Sequence, residues 1–232
     1  MTDLSAFPIT TRWPAKDPSV IQLYSFPTPN GVKISIALEE MGLAYEPHLV
    51  TLSDADVRSD EFLSLNPNNK IPAIIDPNGP DGPIGLWESG AILLYLSGKT
   101  GKFAGNSAAE KAQITKWLMF QMGGLGPMFG QLGYFSKFAG AEIEDPRPRQ
   151  RYVDEAKRLL AVVEKQLTGQ DWIAGDYSIA DMAIAPWLNA TAFYGVRDAI
   201  GFDALTHVPA YVDRFYARPA VDRAKNIPPR PA

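Results

Sequence analysis

The chain has 232 residues, 46% hydrophobic and 21% charged, which is enough for one large globular domain or two smaller ones. Its net charge of −4 gives no support for nucleic-acid binding, which normally requires a basic surface. No apolar segment approaches the roughly 18 residues of a membrane span, and the N-terminus lacks the features of a signal peptide. We therefore expect a cytoplasmic protein without nucleic-acid or membrane partners.

The sequence contains no cysteine and only two histidines, His48 and His207. Disulfide scaffolding, thiolate metal sites and a protein thiol nucleophile are therefore excluded. Two isolated histidines do not form the cluster that a metal site needs, so we predict no metal. Any sulfur chemistry at this protein requires a ligand that supplies the sulfur.

The first half of the chain alternates short strands with helices. Residues 1–18 are rich in proline and lack periodicity, which predicts an arm on the surface. Residues 19–103 predict a small open sheet covered by helices. The predicted strands are residues 20–24, 45–52, 73–76 and 84–86, the predicted helices are 28–41, 60–65 and 88–99, and a dense turn is predicted at 77–83.

Residues 107–225 carry long helical patterns and predict a second, all-helical domain, followed by a tail at 226–232. Ser178 and Asp181 form a capping-box pattern at the start of an almost entirely apolar helix. A break or kink is predicted at residues 122–127. The remaining predicted helices are residues 108–122, 128–138, 149–167 and 209–217.

Two signals between residues 66 and 92 indicate a ligand site. The first is Pro72 at a strand start, where the alternative is an ordinary trans peptide, since only about 5–6% of X-Pro bonds are cis. Sheet folds that bind thiol peptides place a cis proline here, and Ile71 would then pair its backbone with the ligand. The second is Glu88-Ser89 before an apolar helix, where the alternative is a plain helix cap. Together they predict a slot whose Ser89 holds a carboxylate and whose Glu88 pairs with an ammonium group.

Thr28 and Asn30 open the first long helix and have a cap and a turn as their alternative roles. A threonine hydroxyl at a helix N-terminus can also donate to a thiolate, which the helix dipole favours. Lowering a thiol pKa from about 8.5 by about two units requires about 2.7 kcal/mol, within reach of two donors and a dipole. Tyr24 and Ser25 are alternative donors.

With these motifs, the chain resembles the glutathione S-transferase family over residues 19–225. The first domain resembles its thioredoxin-fold, glutathione-binding domain and the second its all-helical domain. Several motifs are similar to the bacterial nu class and, in large part, to fungal nitrogen-regulator proteins: Pro27-Thr28-Pro29-Asn30-Gly31, Asn66-Pro67-Asn68, Ile71-Pro72-Ala73, Glu88-Ser89-Gly90 and Met122-Gly123-Gly124-Leu125-Gly126-Pro127-Met128.

The resemblance implies a homodimer that binds glutathione, often two molecules per site, and reduces disulfide bonds. It places Thr28 and Asn30 at the sulfur and Ile71, before Pro72, at the cysteinyl backbone. Glu88 and Ser89 would hold the γ-glutamyl end. The resemblance also implies that Arg151 binds a glutathione carboxylate. Without the resemblance, the usual interpretation of Arg147, Arg149 and Arg151 is a solvated helix face.

One departure from the family pattern concerns the glycyl end of glutathione. Val57 stands where some members place a glutamine, which leaves Arg58, Asn69 and Lys70 as alternative partners for the glycyl carboxylate. The aromatic residues of the second half are mainly core candidates. The predicted substrate pocket consists of Met128, Tyr134, Trp187 and Tyr194.

We therefore predict a glutathione-dependent disulfide-bond oxidoreductase or detoxifying transferase whose second substrate is a small disulfide or electrophile. Because the chain has no cysteine, a second glutathione must resolve the product. Conjugation of glutathione or cleavage of ether bonds is the alternative reaction. A non-catalytic glutathione-binding regulatory module is the alternative of another class, disfavoured because only about 18 residues precede the first strand, whereas such regulators carry a long disordered extension.

Overall fold

The computed structural model describes residues 3–230, which divide into two compact units. One unit contains the described residues up to Gly101 together with those from Pro219 onward, and the other is Lys102–Arg218. Within residues 3–230, no helix is both long enough and apolar enough to cross a membrane.

The first unit is a four-stranded sheet with helices, as predicted for residues 19–103. Its elements in chain order are α1 Ile9–Arg12, β1 Ile21–Ser25, α2 Pro29–Met41, β2 Tyr45–Leu49, α3 Asp54–Val57, α4 Asp60–Leu65, β3 Ala73–Gly79, β4 Gly82–Trp87, α5 Ser89–Thr100 and α12 Pro219–Ala224.

The sheet order is β2-β1-β3-β4, with β1 parallel to β2 and β3 antiparallel to both of its neighbours. Every residue of β1 is buried, as is typical of a central strand covered on both faces. Since parallel strands require a crossover, α2 connects β1 to β2, and its N-terminus lies just beyond the carboxyl end of β1. This connection fixes where Thr28 and Asn30 are presented.

The predicted turn at residues 77–83 is shorter than expected. Strand β3 continues to Gly79 and only Pro80 and Asp81 form the turn before β4. The pairing register shifts between Asp76 and Gly79, and this irregularity accommodates Pro77, which has no N–H to contribute to a regular ladder.

The proline-rich N-terminal segment was predicted to lie on the surface, and this prediction is wrong for its apolar side chains. Leu4 and Ile9 are buried in a cluster that includes Tyr24 and Phe62. The Trp13 indole N–H donates to the Leu49 carbonyl at 3.0 Å, which ties the segment to the sheet. Burial of two aliphatic side chains favours this docking by a few kcal/mol.

The second unit is helical. It comprises α6 Ala108–Phe120, a π-helical turn Gln121–Leu125, α7 Gly126–Lys137, a 3-10 turn Ala139–Glu142, α8 Pro146–Gln166, α9 Ile179–Tyr194, α10 Arg197–Ile200, a 3-10 turn Phe202–Ala204 and α11 His207–Tyr216. The break predicted at residues 122–127 is thus a π-helical turn inside a continuous helical stretch, a wider turn that accommodates Pro127.

The predicted capping box lies at the centre of this unit. The Ser178 N–H donates to the Asp181 carboxylate at 2.8 Å, and the Ala180 N–H donates to the Ser178 hydroxyl at 3.3 Å. Asp181 also accepts hydrogen bonds from the Ile173 N–H at 2.9 Å and the Tyr211 hydroxyl at 3.0 Å. Because Asp181 is fully buried, these three donors and the Ser178 hydroxyl, which donates at 3.1 Å, replace the water that the carboxylate loses.

Residues 219–225 were predicted to belong to the helical domain, but the structure places them in the sheet unit. Helix α12 packs on α2: the Ser35 hydroxyl donates to the Ala224 carbonyl at 3.0 Å, and Arg223 pairs with Glu39 at 2.8 Å. Ala220, Val221 and Ala224 are buried there. The patterning of so short a helix does not reveal which unit it covers.

Candidate functional site

A small pocket in the sheet unit, of about 100 Å³, gathers most of the residues predicted to bind a peptide. The structure brings together six residues from three separate segments, with Asn66 and Asn68 beside them. The six are Asn30, Lys70, Ile71, Pro72, Glu88 and Ser89.

Thr28 caps helix α2 as predicted. Its hydroxyl oxygen accepts a hydrogen bond from the Gly31 N–H at 3.2 Å, so the hydroxyl proton is left to donate elsewhere. A Cβ at Gly31 would lie 1.9 Å from the Phe26 carbonyl oxygen, which shows why only glycine fits here. Of the two residues predicted to contact the sulfur, Asn30 lines the pocket, whereas Thr28 is not among the lining residues and lies just before it as the helix cap.

The turn before β3 is organised by Asn66, a residue that sequence reasoning used only as part of a family motif. The Asn66 side chain accepts a hydrogen bond from the Asn68 N–H at 2.9 Å and donates to the Lys70 carbonyl. Asn69 occupies the left-handed region with φ 52°, which asparagine tolerates better than most residues. Asn66 and Asn68, on either side of Pro67, were the signal for this turn in the sequence, because asparagine side chains commonly order turns in this way.

The Ile71-Pro72 peptide bond is cis, the geometry that the sequence analysis associated with binding an extended peptide. Both residues are buried and precede β3 directly. Ile71 therefore lines the pocket just before the start of β3, where an added extended segment can pair with its backbone.

Glu88 adopts φ 72° and ψ 111°, a conformation that costs about 1–3 kcal/mol for a residue with a side chain. It is exposed, while Ser89 is 2% exposed and begins α5. Glu88 is the N-cap residue but its side chain makes no capping hydrogen bond, so the alternative of a plain helix cap is wrong. Glu88 and Ser89 both line the pocket, so a carboxylate-bearing residue and the start of a helix meet there.

Sequence reasoning missed Lys33, which is fully buried on α2. Its Nζ lies 3.3 Å from the Ser89 hydroxyl oxygen. Burial lowers the pKa of Lys33 to about 7, although the nearby Glu88 carboxylate acts in the opposite direction. A lysine within an apolar helix stripe was the available signal, because lysine is rarely buried without a polar partner.

The alternative sulfur donors, Tyr24 and Ser25, do not line the pocket. Tyr24 is fully buried and its ring stacks on His48 with 4.7 Å between ring centres. Burial raises the pKa of the Tyr24 phenol well above its usual value. The Ser25 hydroxyl is buried as well, so of the four candidate sulfur donors only Asn30 lines the pocket.

Val57 is part of the apolar cluster that contains Phe62 and Leu65, so its side chain serves the core. Of the alternative partners for the glycyl carboxylate, Arg58 forms an exposed ion pair with Asp54 at 3.0 Å. Lys70 is the charged alternative that lines the pocket.

Arg151 lies on α8 in the helical unit, where it lines an open cleft of about 730 Å³ with Arg147, Arg158 and Met128. The predicted substrate-pocket residues are not brought together in this cleft, since only Met128 lines it. The roles predicted for Arg151 and Met128 stay predictions.

The other three predicted pocket residues lie elsewhere in the helical unit. Trp187 and Tyr194 of α9 pack on the glycines of α7: a Cβ at Gly130 would lie 3.3 Å from the Trp187 ring, and one at Gly133 would lie 2.9 Å from the Tyr194 ring. Trp187 is only 8% exposed and thus serves helix packing, whereas Tyr134 is 43% exposed.

Between Asp3 and Arg230, no group of three or more histidine, cysteine or acidic side chains is arranged to hold a metal ion.

Family models match both units. The model described as glutathione S-transferase, N-terminal domain, matches residues 19–98, and the model for the C-terminal domain of the same family matches residues 128–219. The disulfide-bond oxidoreductase YfcG of Escherichia coli is 44% identical over 208 residues, which cover 88% of this chain and 94% of that protein.

Two solved structures are similar over nearly the whole chain. A glutathione transferase from Pseudomonas putida, with one glutathione disulfide bound per subunit, has a TM-score of 0.96 and 56% identity, and the match covers 97% of this chain and 99% of that one. A glutathione transferase from Burkholderia graminis, with two glutathione molecules bound per subunit, has a TM-score of 0.97 and 58% identity, with 100% and 98% covered. The chain therefore belongs to the glutathione S-transferase family.

Proposed function

We propose that this protein is a glutathione-dependent disulfide-bond oxidoreductase in which Thr28 and Asn30 stabilise the thiolate of bound glutathione. The observation that carries the proposal is the pocket that joins the start of α2, the Ile71-Pro72 segment and the Glu88-Ser89 corner in a protein without cysteine. The Thr28 hydroxyl, already accepting from Gly31, has its proton available for an anion.

Glutathione recognition follows from the chemistry of the lining residues. The Glu88 carboxylate suits the γ-glutamyl ammonium, and the Ser89 hydroxyl with the first amides of α5 suits its carboxylate. Ile71, just before the start of β3, offers its backbone groups to the cysteinyl residue. Lys70 supplies positive charge for the glycyl carboxylate, the role that Val57 does not fill.

The proposed reaction has two exchanges. The bound thiolate attacks one sulfur of a small disulfide, forming a mixed disulfide and releasing the other half as a thiolate that takes up a proton. The thiolate of a second glutathione then attacks the glutathione sulfur of the mixed disulfide, giving glutathione disulfide and the second substrate thiol. The two protons lost by the glutathione thiols are gained by the two thiols released from the substrate disulfide. The Burkholderia graminis protein holds two glutathione molecules per subunit, and the Pseudomonas putida protein holds one glutathione disulfide. These ligands support a site that has room for two glutathione units.

We also propose that the protein is a cytoplasmic homodimer. The sheet unit exposes Trp87 and Leu94, which are 36% and 39% exposed, and Leu94 lines an open cleft with Tyr95 and Lys99. Exposed apolar side chains next to a cleft are typical of an interface between subunits. Sedimentation velocity on the wild-type protein tests the oligomeric state.

Turnover of a substrate panel separates this function from its alternatives. The panel contains a small mixed disulfide, an aryl halide, a hydroperoxide and a β-aryl ether, each with glutathione. We expect the highest kcat/KM with the disulfide. Faster turnover of the aryl halide or the ether would favour conjugation or ether cleavage, and binding of glutathione without turnover of any substrate would favour the regulatory module.

A further inference from the structure

The proline-rich N-terminal segment, residues 3–18 and hereafter the arm, packs behind the segment that forms most of the pocket. The lining residues from that segment are Asn66, Asn68, Lys70, Ile71 and Pro72. None of residues 3–18 lines the pocket, so the arm can act on a ligand only through residues 66–72. We propose that the arm is a positioning element that holds residues 66–72 in the geometry that binds glutathione. This inference rests on the proposed function.

The arm and both flanks of the turn at residues 66–70 belong to one apolar cluster. Leu4 and Ile9 of the arm are buried in it. Phe62 and Leu65, which precede the turn, and Ile71, which follows it, are buried in the same cluster. Helix α1 of the arm packs on α4, whose C-cap residue begins the turn. Because the arm is packed with side chains from both flanks, its release would expose them to water and allow the turn to shift.

Phe7 of the arm helps to fix the end of α4 on the sheet. A Cβ at Gly85 of β4 would lie 2.6 Å from the Leu65 side chain and 3.1 Å from the Phe7 ring. Both side chains therefore lie over this glycine, where the missing side chain leaves them room. Leu65 directly precedes Asn66, whose side chain donates to the Lys70 carbonyl. A contact of the arm thus reaches the pocket through two residues.

Polar contacts give the arm a defined docked position. The Arg12 guanidinium pairs with Asp56 of α3 at 2.7 Å. The Glu46 carboxylate of β2 accepts hydrogen bonds from the Lys16 and Asp17 N–H groups, each at 2.9 Å. Directional contacts of this kind determine where along the sheet the apolar side chains of the arm lie.

The arm packs with only one side of the pocket. Asn30, Glu88 and Ser89 line the other side, and within residues 3–230 none of them belongs to the apolar cluster of the arm. Release of the arm should therefore weaken the contacts of residues 66–72 with the cysteinyl backbone and the glycyl carboxylate. The γ-glutamyl contacts and the reaction of the bound thiolate should persist. We expect a higher KM for glutathione and little change in kcat at saturating glutathione.

The test compares glutathione with γ-glutamylcysteine, which lacks the glycyl residue. Ile9→Asp places a carboxylate in the apolar cluster and should release the arm. Isothermal titration should show glutathione bound about five- to tenfold more tightly than γ-glutamylcysteine by the wild-type protein. In Ile9→Asp, glutathione should bind about five- to twentyfold more weakly, and its advantage over γ-glutamylcysteine should fall to about twofold. Ile9→Ala, a milder change for use if Ile9→Asp does not fold, should shift both quantities in the same direction.

Ile200→Ala is the matched control for Ile9→Ala. Both isoleucines are buried, and each lies on a four-residue helix, α1 for Ile9 and α10 of the helical unit for Ile200. Both substitutions should lower the midpoint of thermal unfolding. Ile200→Ala should leave the dissociation constants of both peptides and the KM for glutathione at their wild-type values, so a loss of stability alone does not produce the predicted pattern.

The wild-type protein supplies a measurement that needs no variant. By linkage, glutathione must hold the arm in place as strongly as the arm holds glutathione. The Trp13 N–H donates to the Ile9 carbonyl and the Lys16 N–H to Glu46, so hydrogen exchange of these two amides reports release of the arm. Saturating glutathione should slow their exchange by about the factor by which Ile9→Asp weakens binding.

Arm amides whose exchange is not slowed by glutathione would overturn the inference and leave the proposed function standing. Wild-type glutathione affinity in an Ile9 variant that is folded by circular dichroism would do the same. Equal weakening of glutathione and γ-glutamylcysteine would also overturn the inference, because the effect would then not follow the contacts of residues 66–72. Absence of any glutathione binding to the wild-type protein would overturn the proposed function and this inference together.

Discussion

Lys33 Nζ and Ser89 Oγ lie 3.3 Å apart although the two residues are 56 positions apart in the sequence. This contact joins α2, close to its start, to the first residue of α5, and these two helices begin at Thr28 and Glu88. A buried polar contact between the two helix starts positions them relative to each other and places a titratable charge behind the ligand site.

The first prediction concerns the stability cost of Lys33. The pKa of Lys33 is about 7 in the folded protein and 10.5 in the unfolded chain, so between these pH values the unfolded state binds more protons. The free energy of unfolding should therefore rise with pH in this window through this group. Lys33→Met should be more stable than the wild-type protein at pH 7, by about 1–3 kcal/mol, and should lack this rise.

Urea denaturation at pH 7 and pH 9 measures both effects. Lys111→Met, at an exposed position of α6, is the matched control and should leave the free energy of unfolding within about 0.5 kcal/mol of the wild-type value. A Lys33→Met protein less stable than the wild type at pH 7 would show that the buried amine contributes net stability, contrary to this account.

A second prediction concerns the start of α2. Gly31→Ala should abolish glutathione binding and lower stability by about 3 kcal/mol or more, because the new Cβ would lie 1.9 Å from the Phe26 carbonyl oxygen. Gly98→Ala in α5 is the control, since a Cβ there meets no atom within 4 Å, and it should stabilise the protein by about 0.5–1 kcal/mol. Thermal unfolding and glutathione titration measure the pair, and a Gly31→Ala protein that binds normally would contradict the assigned geometry.

The two capping boxes provide a third, internally matched prediction. Asp181→Asn replaces an acceptor of buried N–H and O–H groups by an amide that can accept at only one end, which should cost about 2–3 kcal/mol. Glu110→Gln in the exposed box of α6 should cost less than about 1 kcal/mol. Urea unfolding of both variants tests the difference, and equal losses would show that burial of Asp181 does not matter.

The fourth prediction assigns the glycyl end of glutathione. Lys70→Ala should raise the dissociation constant for glutathione about five- to tenfold, because it removes the positive charge that lines the pocket. The same substitution should have little effect on binding of glutathione esterified at its glycyl carboxylate. Arg58→Ala, which breaks only an exposed ion pair with Asp54, should bind both ligands like the wild type. Equal losses for the free acid and the ester would refute the assignment.

The sequence predicted local features of the fold and site better than contacts between distant segments. The start of α2 was predictable because Thr28, Pro29 and Gly42 are local signals for a helix cap, a first turn and a helix end. The capping box at Ser178 and Asp181 was predictable for the same reason.

Contacts between distant segments required the structure. The buried Lys33 sits in an otherwise apolar pattern, and nothing near it in sequence identifies Ser89 as its partner. Helix α12 returns to the sheet unit through an ion pair and a hydrogen bond made by Glu39 and Ser35. Trp187 was predicted to line a pocket because a large aromatic residue suits a pocket as well as a core, and its packing on Gly130 of α7 could not be read from the sequence.

The central claim is that the first turn of α2 ionises the thiol of bound glutathione, and the pKa of that thiol tests it most directly. Ultraviolet absorbance of the thiolate is followed against pH for the wild-type protein, Thr28→Ser, the double variant Thr28→Ala with Asn30→Ala, and Ser59→Ala. The last variant removes an equivalent helix cap from α4 and controls for cap loss alone.

We expect the pKa of the bound thiol to lie about two units below 8.5 in the wild-type protein, Thr28→Ser and Ser59→Ala, and to return toward 8.5 in the double variant. A bound thiol with an unshifted pKa in the wild-type protein, or an equally lowered pKa in the double variant, would contradict the account.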